Sequence, residues 1–200
     1  MDRNKFSRAT IPKPFGVANW VTAARAFYAV SLVGYALAAL VSGAAPSAAL
    51  RWFWVALALG ALALDGVDGR LARQLGQTSA FGARFDMETD AVMVLGLSLL
   101  AWLCGQVGAW VLAGGLMRYI FVLGGWAWPA LAAPLPRRLR RQAACVAQMA
   151  VLILAAAPAI APTVAAPLCF AALAGLSYSF AVDVASLLAS RGEEKKEAVI

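Results

Sequence analysis

Half of the ten acidic residues of this 200-residue chain fall within 26 positions: Asp65, Asp68, Asp86, Glu88 and Asp90. Asp65 and Asp68 stand three residues apart, Asp86 and Asp90 four apart. On helices, those spacings put both members of a pair on one face. The chain contains no histidine, so the commonest general base and the commonest nitrogen ligand for metals are both missing. Acid–base or metal chemistry therefore falls to carboxylates. Carboxylates gathered near a membrane core are costly unless paired or metal-bound, and four together repel strongly. With no imidazole and no clustered thiols, the natural compensation is a hard divalent cation held by oxygen, Mg2+ or Mn2+. Four aspartates are enough for two such cations.

The neighbouring residues suit a ligand. Gly69 and Ala72 follow Asp65 by four and seven positions, on the same stripe, and Gly82 precedes Asp86 by four. These positions leave a groove where a ligand approaches the backbone, and Arg73 at its rim suits a phosphate. Glu88 lies between two of the aspartates and points elsewhere on its helix, which favours a structural role. The purely structural alternative is that the aspartates only pair with Arg70, Arg73 and Arg84.

These residues need elements to hold them. Apolar residues make up 62% of the chain, charged residues 14%, and mean hydropathy is +0.76. Soluble domains have about 45–50% apolar and about 25% charged residues. Low charge with high apolarity excludes disorder, and three cysteines exclude a disulfide scaffold. Six apolar segments are legible: Ala18–Val41, Leu50–Leu71, Arg84–Cys104, Ala109–Ala132, Gln142–Ile160 and Val164–Leu188. Separators rich in Gly, Pro and Ser divide them, such as Ser42–Pro46, Gly76–Ser79 and Pro134–Pro136. Six spans of about 20 residues account for nearly all the apolar content, and helix satisfies the backbone where there is no water. The expected fold is thus all-α: a polytopic integral membrane protein with six transmembrane helices.

Basic residues orient it. Fourteen of the 17 Lys and Arg flank one membrane side, only Arg51 flanks the other, and Arg25 and Arg118 lie inside spans. Both termini are then cytoplasmic, and the aspartates face the cytoplasm. Residues 1–17 form a basic N-terminal segment, 18–190 the membrane domain and 191–200 a cytoplasmic tail. The first segment has the basic start of a cleaved signal peptide, but its apolar run is long and Arg25 interrupts it. The net charge of +7 is explained by topology and anionic headgroups rather than by nucleic acid. Cys104, Cys145 and Cys169 are read as packing residues, and Trp20, Trp52, Trp54, Trp126 and Trp128 as interfacial anchors.

At the aspartates the sequence resembles a family. Asp65-Gly-Val-Asp68-Gly69-Arg-Leu-Ala72-Arg73, eight residues, Gly82, three residues, Asp86, three residues, Asp90 matches D-x2-D-G-x2-A-R-x8-G-x3-D-x3-D at every fixed position. That is the signature of the CDP-alcohol phosphotransferases, also called CDP-alcohol phosphatidyltransferases. The resemblance implies transfer of a phosphatidyl or similar group from a CDP-linked donor, such as CDP-diacylglycerol, to an alcohol, with release of CMP, and it implies a homodimer. It makes Asp65, Asp68, Asp86 and Asp90 ligands of two divalent cations and Asp90 the general base. Carboxylates beside cations are weak bases, so cation-assisted ionisation of the acceptor shares that role. Gly69, Ala72, Arg73 and Gly82 would line the CDP site, and Asn19, Thr22 and Arg25 resemble the polar stretch beside the nucleotide.

Arg118 lies deep in the fourth span, where an Arg is a functional hypothesis by default. It is expected either to bind a phosphate of the acceptor or donor, or to pair with a motif carboxylate. By the resemblance, relatives that use glycerol phosphate often carry an Arg-Glu pair in this region, whereas Tyr119 follows Arg118 in this chain. Arg137, Arg138, Arg140 and Arg141 form a basic cluster, read first as topology charges, although they could also attract a phosphorylated acceptor such as glycerol 3-phosphate or inositol phosphate. Asp183 is expected to contact the acceptor or to partner an Arg. A carboxylate-based ion or proton-coupled transporter is the competing class, but the acids cluster at one face and no inverted repeat is visible.

Overall fold

The computed structural model describes the backbone of residues 17–74, 80–127 and 139–197, with side chains over 20–66, 81–124 and 140–186. The described residues form six helices and no strand: α1 (Val17–Ser42), α2 (Ala48–Gln74), α3 (Ala80–Leu103), α4 (Leu112–Ala127), α5 (Leu139–Ala156) and α6 (Pro162–Glu197), with a 3-10 turn at Ala109–Val111 leading into α4. Each lies on one of the six apolar segments.

The ends differ from the apolar runs for local reasons. After α3, Gly105 takes φ +67, and Gly105 and Gln106 donate to the carbonyls of Trp102 and Ala101. This left-handed glycine cap closes the helix. α5 stops at Ala156, short of the expected Ile160, two residues before Pro158. There Arg51 donates from Nε to the Ala156 carbonyl at 3.0 Å and from Nη2 to the Ala157 carbonyl at 3.2 Å, serving carbonyls that the helix end leaves open. α6 begins with proline at its first position and runs past Leu188 to Glu197, because Glu and Lys propagate a helix as well as apolar residues do. The apolar run therefore marks the expected membrane segment, not the helix.

α3 is the central helix: it packs on α1, α4 and α5, while α1 and α5 also meet α2, and α5 meets α6. Glycine sets one of these contacts. A Cβ on Gly115 of α4 would stand 2.6 Å from the Leu95 Cα of α3, so the two backbones approach as only small residues allow.

Buried stripes at heptad-like spacing fill the interior: Thr22, Arg25, Ala29, Leu32 and Ala36 on α1, Trp54, Ala58 and Ala61 on α2, and Met93, Leu97 and Leu100 on α3. Trp54 is a correction to the interfacial reading. It is 8% exposed, packs against Tyr28 and Tyr35, and its backbone carbonyl accepts from the Tyr28 hydroxyl at 3.1 Å. Its place on the inner stripe of α2 draws it inward. Trp20 and Trp52 lie on the outside, and the side chains of Trp126 and Trp128 fall outside the described residues.

The outer surface is apolar, with Phe27, Val30, Val41, Ile120 and Phe170 all exposed. Such a surface suits lipid rather than water. By length and composition, three described stretches can cross a membrane: Trp20–Ser42, Ala48–Gly66 and Pro162–Ser186. α4 is shorter, α3 carries Arg84, Asp86, Glu88 and Asp90 over its first three turns, and α5 carries Arg140 and Arg141 in its first turn.

Candidate functional site

The inner stripes end in charge at the same end of the bundle. The α2 stripe Trp54, Ala58, Ala61 continues to Asp65, the α3 stripe runs back from Met93 to Asp90 and Asp86, and the α1 stripe begins with Thr22 and Arg25. The packing that buries the apolar residues therefore brings these side chains together. One carboxylate oxygen from each of Asp65, Asp86 and Asp90 lies within 4.8 Å of the others. This is about twice the roughly 2.0–2.6 Å bond of Mg2+ or Ca2+ to oxygen, so the three can share a hard cation.

Arg25 sits among them. Its Nη1 donates to Asp65 Oδ1 at 2.6 Å and to Asp86 Oδ1 at 2.8 Å, and its Nη2 to Asp90 Oδ1 at 2.6 Å. The Arg25 side chain is 1% exposed, those of Asp65 and Asp90 20% and 22%, and that of Asp86 44%. The cluster therefore opens outward on the Asp86 side. Arg25 Nε is buried without a hydrogen-bond partner among the described residues.

Sequence reasoning placed Arg25 beside a nucleotide and left its contact with the aspartates unseen. The available signal was one basic residue inside the first span and acids at the ends of the next two. Thr22, 8% exposed, stands one turn before Arg25, and Gly82, partly buried, one turn before Asp86. Asp68, Gly69, Ala72 and Arg73 continue α2, and Asn19 lies in α1; their side chains fall outside the described residues. The structural alternative was pairing with Arg70, Arg73 and Arg84; among the described residues three of the aspartates pair with Arg25, and the side chains of Arg70 and Arg73 lie outside them.

Arg118 lies elsewhere. It forms an ion pair with Glu88, and its Nε is buried without a partner among the described residues. Glu88 is two residues from both Asp86 and Asp90, about 200° around the helix, so Arg118 on α4 meets the side of α3 turned away from the aspartates. Among the described residues, Arg118 therefore pairs with Glu88 and not with a motif carboxylate. Cys145, read as packing, is half-buried on α5 within electrostatic reach of Asp90, Asp65, Asp86 and Arg25.

A second ionic cluster joins α5 to α6. Asp183, 1% exposed, accepts from Arg140 Nη2 at 2.8 Å and from Arg141 Nη1 at 3.3 Å. Arg140 also donates to the Ser179 hydroxyl and carbonyl, each at 3.3 Å. This bears out the Arg-partner reading of Asp183. Arg137 and Arg138 fall outside the described residues.

Residues 15–183 match the family described as CDP-alcohol phosphatidyltransferase. No curated protein and no solved structure matches. The matched region covers most of the chain and contains both clusters. The chain therefore belongs to the CDP-alcohol phosphatidyltransferase family, membrane transferases of phosphate-containing groups in phospholipid synthesis.

Proposed function

We propose that this chain moves a phosphatidyl group from CDP-diacylglycerol, or a related CDP-alcohol lipid, to a small polar alcohol, releasing CMP. The observation that carries this reading is the convergence of Asp65, Asp86 and Asp90 within 4.8 Å at the end of the inner stripes. The donors are all oxygen, which fits Mg2+ or Mn2+. Asp68, one turn after Asp65 on α2, is the fourth ligand of a two-cation site. Bound there, the cations would neutralise the donor pyrophosphate and stabilise the leaving CMP oxygen.

The chain's own residues do the rest. Gly69, Ala72, Arg73 and Gly82, with Asn19, Thr22 and Arg25, line the CDP moiety. Asp90 accepts the proton of the acceptor hydroxyl. The acceptor oxygen bonds to the phosphorus that carries the lipid alcohol, the phosphorus–oxygen bond to CMP breaks, and CMP leaves with that electron pair. Arg118 takes the phosphate of a phosphorylated acceptor, glycerol 3-phosphate or inositol phosphate; its Nε, buried and without a partner among the described residues, supports this role.

The basic residues flanking one membrane side support six spans with termini and active site in the cytoplasm, where the donor enters from the leaflet and the acceptor from water. The domain bounds 1–17, 18–190 and 191–200 and the homodimer belong to the same reading. Family membership favours transfer over a carboxylate relay in a transporter. The test is CMP release from CDP-diacylglycerol by purified protein with Mg2+ or Mn2+, screened over acceptors. Turnover with one acceptor class is expected. No turnover with any acceptor, together with no cation-dependent binding of the donor, would overturn the reading.

A further inference from the structure

The aspartates carry a cation of their own. The Asp65, Asp86 and Asp90 oxygens that Arg25 engages at 2.6–2.8 Å belong to the carboxylates whose spacing suits a metal ion. We propose that Arg25 is a built-in counter-cation of the aspartate cluster that competes with divalent cations, so that cation entry hands its guanidinium over to the phosphates of the donor. This rests on the reading of the aspartates as cation ligands and adds to it a specific order of exchange.

Three features carry the proposal. First, one guanidinium against three carboxylates leaves two negative charges uncompensated among these side chains, so the cluster still attracts a divalent ion. An ion entering at Asp86, the most exposed of the three, would meet a buried positive charge on the same oxygens and be opposed by it. Second, among the described residues Arg25 engages through its two Nη groups, while Nε is buried and without a partner there. Its seat on the carboxylates leaves one of its donors unmet. Third, the side chain is 1% exposed, so a displaced guanidinium cannot simply rehydrate. A buried charge without a partner is strongly unfavourable, and the anion that fits a planar fork best is a carboxylate or a phosphate. With the carboxylates given over to the cation, the donor's phosphates remain. Cation and donor then favour each other's binding, by the same factor in both directions.

A role for Arg25 in phosphate binding alone predicts no change in cation affinity when nucleotide is absent. The test therefore measures Mn2+ binding without nucleotide, by counting free Mn2+ with electron paramagnetic resonance, on the purified full chain. Arg25→Gln is expected to bind Mn2+ at least tenfold more tightly than the wild type. Its melting temperature should fall below that of the wild type without cation and rise further on adding Mn2+. Arg25→Lys keeps the charge but not the fork, and it decides the matter if the glutamine variant fails to fold; an intermediate affinity is expected. Affinities in either variant equal to or weaker than wild type overturn the proposal. Asp86→Asn separates the two readings. If it weakens Mn2+ binding while the Arg25 variants leave it unchanged, the metal site stands and the counter-cation falls. If neither the wild type nor any variant binds Mn2+, both fall.

Discussion

Among the described residues, two ionic clusters have opposite composition. At one, a buried Arg25 lies among three aspartates from α2 and α3. At the other, a buried Asp183 on α6 lies between Arg140 and Arg141 on α5. Both follow the rule that a charge inside an apolar bundle needs partners, but they satisfy it differently. Asp183 accepts from an Arg on each of its oxygens, so its hydrogen-bonding needs are met by the chain. Among the described side chains, the aspartates have one guanidinium for three carboxylates and an opening at Asp86. An ionic cluster that is satisfied within itself works as a clamp between helices, whereas one with uncompensated charge and a way in is suited to a ligand.

That contrast can be broken experimentally. The largest effect is expected from Asp86→Asn, which should lower CMP release by about 10²–10³-fold or more while the protein still purifies as a folded species; unchanged turnover would remove the metal role. Chelation of divalent cations should abolish turnover reversibly, with activity regained on adding Mg2+ or Mn2+; turnover that survives chelation would place the chemistry elsewhere.

Asp183→Ala should act on stability instead. Removing one partner of a buried pair costs about 3–5 kcal/mol, and the lower end is expected because Arg140 is 38% exposed and can rehydrate. Thermal unfolding in detergent measures this, and the cation dependence of the surviving enzyme should be unchanged. A D183A protein of normal stability but altered cation dependence would invert the comparison.

Arg118→Ala is expected to raise the acceptor KM about tenfold, the loss of roughly one charge-assisted hydrogen bond, with the donor KM unaffected. An unchanged acceptor KM would leave the ion pair with Glu88 as its whole role. The smallest effect is expected at the clamp's longer contact: Arg141→Ala leaves Asp183 its 2.8 Å partner Arg140 and should lower the thermal unfolding midpoint less than Arg140→Ala does, in line with contacts of 3.3 and 2.8 Å.

Much of this was readable from the residues because membrane chains use few charges, and each one is informative. The spacing of Asp65, Asp68, Asp86 and Asp90 pointed to the chemistry and the family, and the alternation of apolar runs with Gly, Pro and charge located six helices. Helix ends were less legible, since Arg51 at the end of α5 and the polar extension of α6 lie outside any hydropathy pattern. Trp54 was misread for a related reason. An aromatic near a span end suits an interface by sequence position, but whether it faces lipid or core depends on which stripe of its helix the neighbours cover.

The sequence by itself determined which residue types were available for chemistry, in what local spacing, and the apolar surface that has to be buried or given to lipid. These are properties of composition and of helical periodicity, which act over a few turns. The tertiary structure alone decided the partners across helices: Arg25 with three aspartates 40 to 65 positions away, Arg118 with Glu88 on the far side of α3, and Arg140 and Arg141 with Asp183. Each pairing depends on how helices rotate and cross when their stripes pack, and no spacing along one helix encodes that rotation.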